Sequence, residues 1–300
     1  MRLSCVAIGS NAVRMLSAGW DGHALTDVIR ERRGTRLFAG LVDNRLTPQS
    51  IRKTVEAVSE LAGLAWHSGA EALYVFATSA ARDAQNGDVF SAACEAATRV
   101  PLEIISGEQE AIYSYIGACS EGKNGIIDIG GGSTEFTLGQ GQTPERAVSL
   151  QMGAVRMSGL RPIQSSSDYE QTMCACQAQI QSQAAVLIEA SEGRLWTGVG
   201  GTMTTLGAMA RALPLFDSQT CEGMPMRLSE VRSWGLRLAD MELEARKQVV
   251  GLMPHRADII PAGIAILEAG MRAFSIETIR LSCQGNMDGY LKTKFRENGP

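Results

Sequence analysis

Residues 125–138 read GIIDIGGGSTEFTL. The apolar run Gly125–Ile129 is short and β-branched, as a buried strand is. Asp128 lies inside that run, Gly130, Gly131 and Gly132 come next, and Ser133, Thr134 and Glu135 precede the return of strand character. Glycines open backbone conformations closed to other residues and let the main chain approach a ligand closely. A run of N–H groups in such a turn makes a concave site for an anion. Asp128 and Glu135 bracket that anion with negative charge, which makes chemical sense chiefly with a divalent cation between them. A glycine-rich hairpin with incidental acids is the plain alternative. Serine, threonine and two carboxylates so close together favour a phosphate-and-metal turn.

Two weaker copies of this pattern occur elsewhere. Leu3–Ile8 leads into Gly9, Ser10 and Asn11, and Val13–Leu16 resumes as strand. Leu195–Val199 leads into Gly200, Gly201 and Thr202, with Thr204 and Thr205 close behind. Three strand–glycine–polar turns suggest two related lobes facing one phosphate chain. No GxxxxGK[ST] loop is present, which excludes a Walker site. A dinucleotide fingerprint fits poorly, because the residues after the first two glycine turns read as strand and not as a helix opening.

A chain of 300 residues exceeds a typical single core and predicts two domains of roughly 120–180 residues. With 45% hydrophobic and 20% charged residues it has the composition of an ordinary soluble globular protein. A net charge of −4 argues against general nucleic-acid binding, which needs a basic surface. Seven cysteines, an odd number with no CxxC pair, read as reduced thiols in a cytoplasmic protein. Neither a signal peptide nor an apolar run of about 18–20 residues is evident, so no membrane partner is expected.

Strands and helices alternate along the chain. Thr47-Pro48 starts a helix whose face is Ile51, Val55, Val58 and Leu61, closed by Gly69. Strands are predicted at Leu73–Ala77 and Leu102–Ile105, and helices up to Ala97 and from Gly107 to Cys119. One long helix is predicted from Ser165 to Ala190, helices fill most of 203–275, and a strand at Ile279–Ser282 precedes a final helix, Gly285–Phe295.

Residues 104–111, IISGEQEA, form a strand-to-helix junction. Acidic residues in a first helical turn interact well with the helix dipole. A carboxylate placed there, ahead of a phosphate turn, could also act as general base toward water. Glu108 and Glu110 are two apart, so they face different ways and only one can be that base.

These segments together resemble the exopolyphosphatase/guanosine pentaphosphate phosphohydrolase family, part of the actin–Hsp70–sugar kinase superfamily. The matching stretches run nearly end to end. They are IGSNAVRML at 8–16, GTRLFAGL at 34–41, ATSAARDAQN at 77–86, EIISGEQEA at 103–111 and DIGGGSTEF at 128–136. MGAVRM at 152–157, GVGGTMTTLGAM at 198–209, RADIIPAGIAIL at 256–267 and GNMDG at 285–289 complete the series. The resemblance implies an α/β fold of two ribonuclease-H-like, actin-like ATPase domains with an interdomain cleft. Residues 1–120 would form the first and 121–300 the second, with the last helix packing back on the first.

Residue by residue, the resemblance makes Glu110 the catalytic base and assigns Asp128 and Glu135 to a divalent metal, Mg²⁺ or Mn²⁺. Gly130, Gly131, Gly132 and Ser133 match the phosphate cradle, and Gly9, Ser10 and Asn11 the first loop. Gly201 and Thr202 match a further phosphate turn, while Arg14 and Arg82 match arginines that look toward substrate phosphates. The implied reaction is hydrolysis of a terminal phosphoanhydride of polyphosphate, with guanosine pentaphosphate the alternative substrate and a catalytically weakened binding protein the alternative role. A homodimer is compatible with the sequence. The chain also departs from the family. Ala7 stands where the first loop normally has Asp, Ala12 where Ser follows Asn, and Glu222-Gly223 where His-Gly is usual. Loss of the acid at position 7 implies a weaker hold on metal.

Overall fold

Met1–Tyr113 together with the helix from Asn286 form one unit of the protein and Ser114–Gly285 another, in a computed structural model that describes residues 1–298. In the first unit β1 (Arg2–Ile8), β2 (Ala12–Trp20) and β3 (Leu25–Gly34) make an antiparallel meander. A ribbon of β4 (Leu41–Val42) and β5 (Arg45–Leu46) leads to α1 (Pro48–His67). Strand β6 (Ala72–Ala77) pairs parallel with β1. The short α2 (Ser79–Arg82), α3 (Gly87–Thr98) and β7 (Leu102–Ile104), parallel to β6, come next. Helix α4 (Gly107–Ala118) contains the boundary between the units.

The second unit repeats the plan. Strands β8 (Lys123–Ile129), β9 (Thr134–Gln140) and β10 (Thr143–Leu150) form another meander. After α5 (Ala154–Leu160), α6 (Ser166–Gln183) and α7 (Ala185–Glu189), β11 (Leu195–Val199) pairs parallel with β8. Then come α8 (Gly201–Ala210), α9 (Ser218–Cys221), β12 (Pro225–Arg227), α10 (Leu228–Ala239), α11 (Leu243–Arg246) and α12 (Ile260–Ala273). Strand β13 (Thr278–Leu281) lies between β11 and β12, and α13 (Asn286–Asn298) belongs to the first unit.

The sheet orders are β3-β2-β1-β6-β7 and β10-β9-β8-β11-β13-β12. Apart from the extra β12 edge, both read as a three-stranded meander continued by two parallel strands. This is an α/β protein with the ribonuclease-H-like sheet built twice.

Alternation along the strands decides what each face carries. On β8, Ile127 and Ile129 enter the main core of the second unit, under the apolar helix α12, while Ile126 and Asp128 point to the opposite face. In the first unit Val58 and Leu61 of α1 are fully buried, with Ile51 and Val55 against the same cluster. The Thr47 hydroxyl accepts the Ser50 N–H as the cap of that helix. The other face of the first sheet packs Cys5, Ala7, Leu16 and Phe76 against Met287, Tyr290 and Leu291 of α13.

One local expectation changes, and two details go beyond the expectations. The helix predicted over 165–190 is two helices, parted at Ala184, whose φ of −117° leaves helical geometry. No glycine or proline marks that break, so the residue pattern runs through it. Strands β3 and β10 are edges, β3 with largely exposed, charged residues and β10 with Leu150 alone fully buried. Edge strands of this kind lack the apolar alternation that betrays a strand. The three residues of β12 lie within the stretch 203–275, most of which is expected to be helical.

Candidate active site

In the first unit the Gly9–Asn11 turn sits where β1 gives way to β2, and the Gly9 N–H closes it on Ala12 O at 3.0 Å. Ser10 is buried, and its hydroxyl lies 2.9 Å from that of Ser79, at the start of α2 just after β6. The carboxyl ends of the parallel pair β1 and β6 therefore meet at this turn, the usual ligand position in such sheets. The Asn11 Nδ2 is buried with no hydrogen-bond partner among the described residues.

Glu110 enters from α4. Its junction is pinned by reciprocal bonds, Ser106 N–H to Gln109 Oε1 at 2.8 Å and Gln109 N–H to Ser106 Oγ at 3.1 Å, which is a capping box. Glu108 is exposed and Glu110 only 6% exposed. Arg82 Nη1 donates to Ile105 O at 2.9 Å and lies 3.5 Å from Glu110 Oε2. Arg82 Nη2 is buried without a hydrogen-bond partner among the described residues. Asn286, the first residue of α13, bridges the other side. Its Nδ2 is 3.5 Å from Glu110 Oε1, and its Oδ1 accepts from Arg14 Nη2 at 3.2 Å. Arg14 is the direct cross-strand neighbour of Ala7 on one side and of Arg32 on the other. Burial first, and then Arg14, hold the Arg32 guanidinium below its ordinary pKa.

Ala7 is fully buried, in a cluster with Leu3, Cys5, Leu16, Phe76 and Ile105. The position at which the family resemblance leads one to expect an acid is here a packed strand residue.

In the second unit Asp128 and Glu135 are directly opposite each other on β8 and β9, 6% and 1% exposed. Side chains so paired share one face, with Cβ atoms about 4.5–5.5 Å apart. The Ser114 hydroxyl donates to Asp128 Oδ2, and Ser149, next in the row on β10, donates to Glu135 Oε1 at 2.7 Å. Asp128 Oδ1 lies against Gly200, whose φ is +94°. This brings the β8–β9 turn and the start of α8 together. Arg256 places its guanidinium over Gly201. Thr202 turns its hydroxyl toward Gly263 of α12.

The Gly130–Ser133 turn closes by a 3.0 Å bond from Gly130 N–H to Ser133 O, and α5 packs on it. The N–H of Ala154 donates to Gly130 O at 3.0 Å, and those of Val155 and Arg156 to Gly131 O at 2.8 and 3.0 Å. Gly153 has no room for a side chain because the backbone of Gly131 and Gly132 occupies that space.

A pair of like charges directly opposite on a sheet is unfavourable by itself, so Asp128 and Glu135 together suit a divalent cation. Among the described residues no group of three or more His, Cys, Asp or Glu side chains is arranged to hold one. Two carboxylates suffice for Mg²⁺, which keeps several waters and is completed by substrate phosphates. The residues present fit such an ion.

Five residues without a role in the motif reading thus join the candidate sites: Asn286 in the first unit, and Ser114, Ser149, Arg156 and Arg256 in the second. Asn286, Arg156 and Arg256 lie inside the blocks GNMDG, MGAVRM and RADIIPAGIAIL, which is their sequence signal. Ser114 and Ser149 have none.

Comparison with known proteins identifies the family. A family model described as the Ppx/GppA phosphatase family matches residues 17–296. Exopolyphosphatase 2 of Mycobacterium tuberculosis is 31% identical over 285 residues, spanning 89% of this chain and 89% of its own. The guanosine-5'-triphosphate,3'-diphosphate pyrophosphatase of Pseudoalteromonas atlantica is 26% identical over 287 residues, covering 93% of this chain and 56% of that one. Among solved structures, the Aquifex aeolicus member of the Ppx/GppA family matches with a TM-score of 0.83 at 25% identity, over 100% of this chain and 99% of that one. By its motifs, its twice-built sheet and these relatives, the chain belongs to the Ppx/GppA phosphatase family and is a phosphoanhydride hydrolase of the exopolyphosphatase type.

Proposed function

We propose that the protein removes terminal phosphates from inorganic polyphosphate with a divalent metal, Mg²⁺ or Mn²⁺, releasing orthophosphate. The observation that carries the reading is in the first unit. Asn11 Nδ2 and Arg82 Nη2 are buried donors without an acceptor among the described residues, and Arg82 also contacts Glu110. Buried donors are almost always satisfied, so Asn11 in the first glycine turn and Arg82 beside a shielded carboxylate suit phosphate oxygens as their missing acceptors. The identity to a mycobacterial exopolyphosphatase over most of both chains supports the substrate class.

In this mechanism Glu110 Oε accepts the proton of the attacking water. Arg82 and Asn286 hold its two oxygens in place, and Arg14 adds a positive charge for the phosphates. Each unit has its own glycine turn, Gly9–Asn11 in the first and Gly130–Ser133 in the second, whose N–H groups suit phosphoryl oxygens and the charge that develops on them. Asp128 and Glu135 would hold the metal, with Ser114 and Ser149 orienting them. Bound there, the ion would neutralise charge on the transferred phosphoryl and leaving group. No side chain in these motifs offers a nucleophile, so water is the acceptor.

Seven free cysteines and no helix among the described residues long and apolar enough to cross a membrane support a cytoplasmic setting. The test is phosphate release from polyphosphate and from guanosine pentaphosphate, each with Mg²⁺ and with Mn²⁺. Faster turnover of polyphosphate is expected. Release from the nucleotide alone would overturn the substrate, and release from neither would overturn catalysis.

A further inference from the structure

We infer that Arg156 is a positioning residue that sets the direction of the Gly132–Ser133 peptide, and so the N–H that Ser133 presents to a phosphoryl group. The inference rests on the phosphate-binding reading of the Gly130–Ser133 turn. The carbonyls of three successive glycines end on one short segment. Gly130 O and Gly131 O accept from the backbone N–H groups of Ala154, Val155 and Arg156. Gly132 O accepts from a side chain, Arg156 Nε, at 2.7 Å.

The described chain has no cis peptide bonds. In a planar trans peptide the N–H points opposite to the C=O. With the carbonyls of residues 130, 131 and 132 directed at α5 and Arg156, the N–H groups of Gly131, Gly132 and Ser133 are all directed away from them. Three N–H groups in sequence with one direction form an anion nest. Two of the three peptides are held by main-chain donors that any residues at 154–156 would supply. The third depends on one guanidinium.

Glycine at 132 makes that dependence matter, because its backbone rotates with little steric resistance. A rotated Gly132–Ser133 peptide would present a carbonyl oxygen to the phosphate in place of an N–H. Arginine suits the role because its planar fork donates from separate nitrogens. Nε is committed to Gly132 O, and Nη2 reaches Gln151 Oε1 at 2.6 Å. The side chain is thereby held at both ends of its fork. A lysine has one nitrogen and cannot make both bonds in this geometry.

The test compares wild type, Arg156→Ala and Arg156→Lys by three measurements. They are calorimetric binding of tripolyphosphate with Mg²⁺, kcat and KM for phosphate release from it, and the amide resonances of Gly132 and Ser133. In Arg156→Ala the dissociation constant and KM should rise ~10–100-fold, the scale of one charge-assisted hydrogen bond. The kcat should fall by less, and the Ser133 amide resonance should move. Arg156→Lys, which keeps the charge, should recover only part of the affinity, and it carries the test if the alanine variant does not melt cooperatively. Wild-type binding and KM in both variants would overturn the inference while phosphate binding by the turn stands. Full recovery by lysine with an unmoved Ser133 amide would overturn it too, reducing Arg156 to a nearby charge. A wild-type protein that neither binds nor cleaves tripolyphosphate would sink this inference and the phosphate reading together.

Discussion

Glu108 and Glu110 both open α4, and burial separates their roles. Glu110 is 6% exposed with Arg82 and Asn286 on its oxygens, while Glu108 faces solvent. Glu110→Gln should therefore lower kcat at least ~100-fold, the scale of a general base. Its tripolyphosphate affinity and melting temperature should stay close to wild type, and wild-type turnover would move the base elsewhere. Ala7 supports a second prediction at this scale. It is fully buried among apolar side chains, with Arg14 the charged residue in register across from it. Ala7→Asp should destabilise the protein by about 1–3 kcal/mol, the cost of an imperfectly satisfied buried polar group. It should also draw Arg14 off Asn286. Urea unfolding measures the first effect. Unchanged stability combined with a lower metal requirement would show instead that the position faces the metal.

At the scale of elements, the turns matter more than the strands they join. Gly200 links β11 to α8 with φ +94°, and a Cβ there would stand 2.6 Å from Ile129 O and 2.8 Å from Asp128 Oδ1. Neither neighbour is the flexible end of a long side chain. Gly200→Ala should therefore cost more than the ~1–3 kcal/mol of backbone strain alone, and should displace Asp128. A loss of stability together with a raised Mg²⁺ requirement is expected. A variant as stable and as active as wild type would show that the turn relaxes freely. The Ser106–Gln109 capping box does the corresponding work for α4, ending β7 and starting the helix within a few residues so that Glu110 falls on its buried side.

Over the whole molecule, two sheets of matching order carry their glycine turns at matching places, after β1 and after β8. Both units also carry buried thiols. Burial raises the Cys94 thiol, in the first unit, and the Cys176 thiol, in the second, from 9.0 to about 12, and pushes Cys5 higher still. A group whose pKa is raised by folding contributes stability that is complete below its unfolded value and is lost as pH rises toward the folded one. Stability under reducing conditions should therefore decline from near pH 9 upward, by about 1.4 kcal/mol per pH unit for each thiol. Urea midpoints at pH 8 and pH 10 measure this, and Cys94→Ala should show a shallower decline. A flat profile would mean the thiols are solvated.

Much of this was legible in the residues alone. Glycine turns after β-branched runs, the acids flanking them and the Thr47-Pro48 helix start are local chemistry, settled within a few neighbouring residues. They were enough to indicate an α/β fold with a sheet and a glycine turn in each of two units. The edge strands β3 and β10 were not legible, because an edge exposed to water has no need of apolar alternation. Nor were the partners of the candidate side chains. Arg156 reaches Gly132 across 24 positions and Asn286 reaches Glu110 across 176. Burial acts in the same way: Glu110 and Glu108 are alike in sequence, and Ala7 reads as a missing acid until its neighbours are known. A residue's type is written in the chain, but its partners and its access to water depend on which distant segments fold against it, and only the tertiary structure decides that.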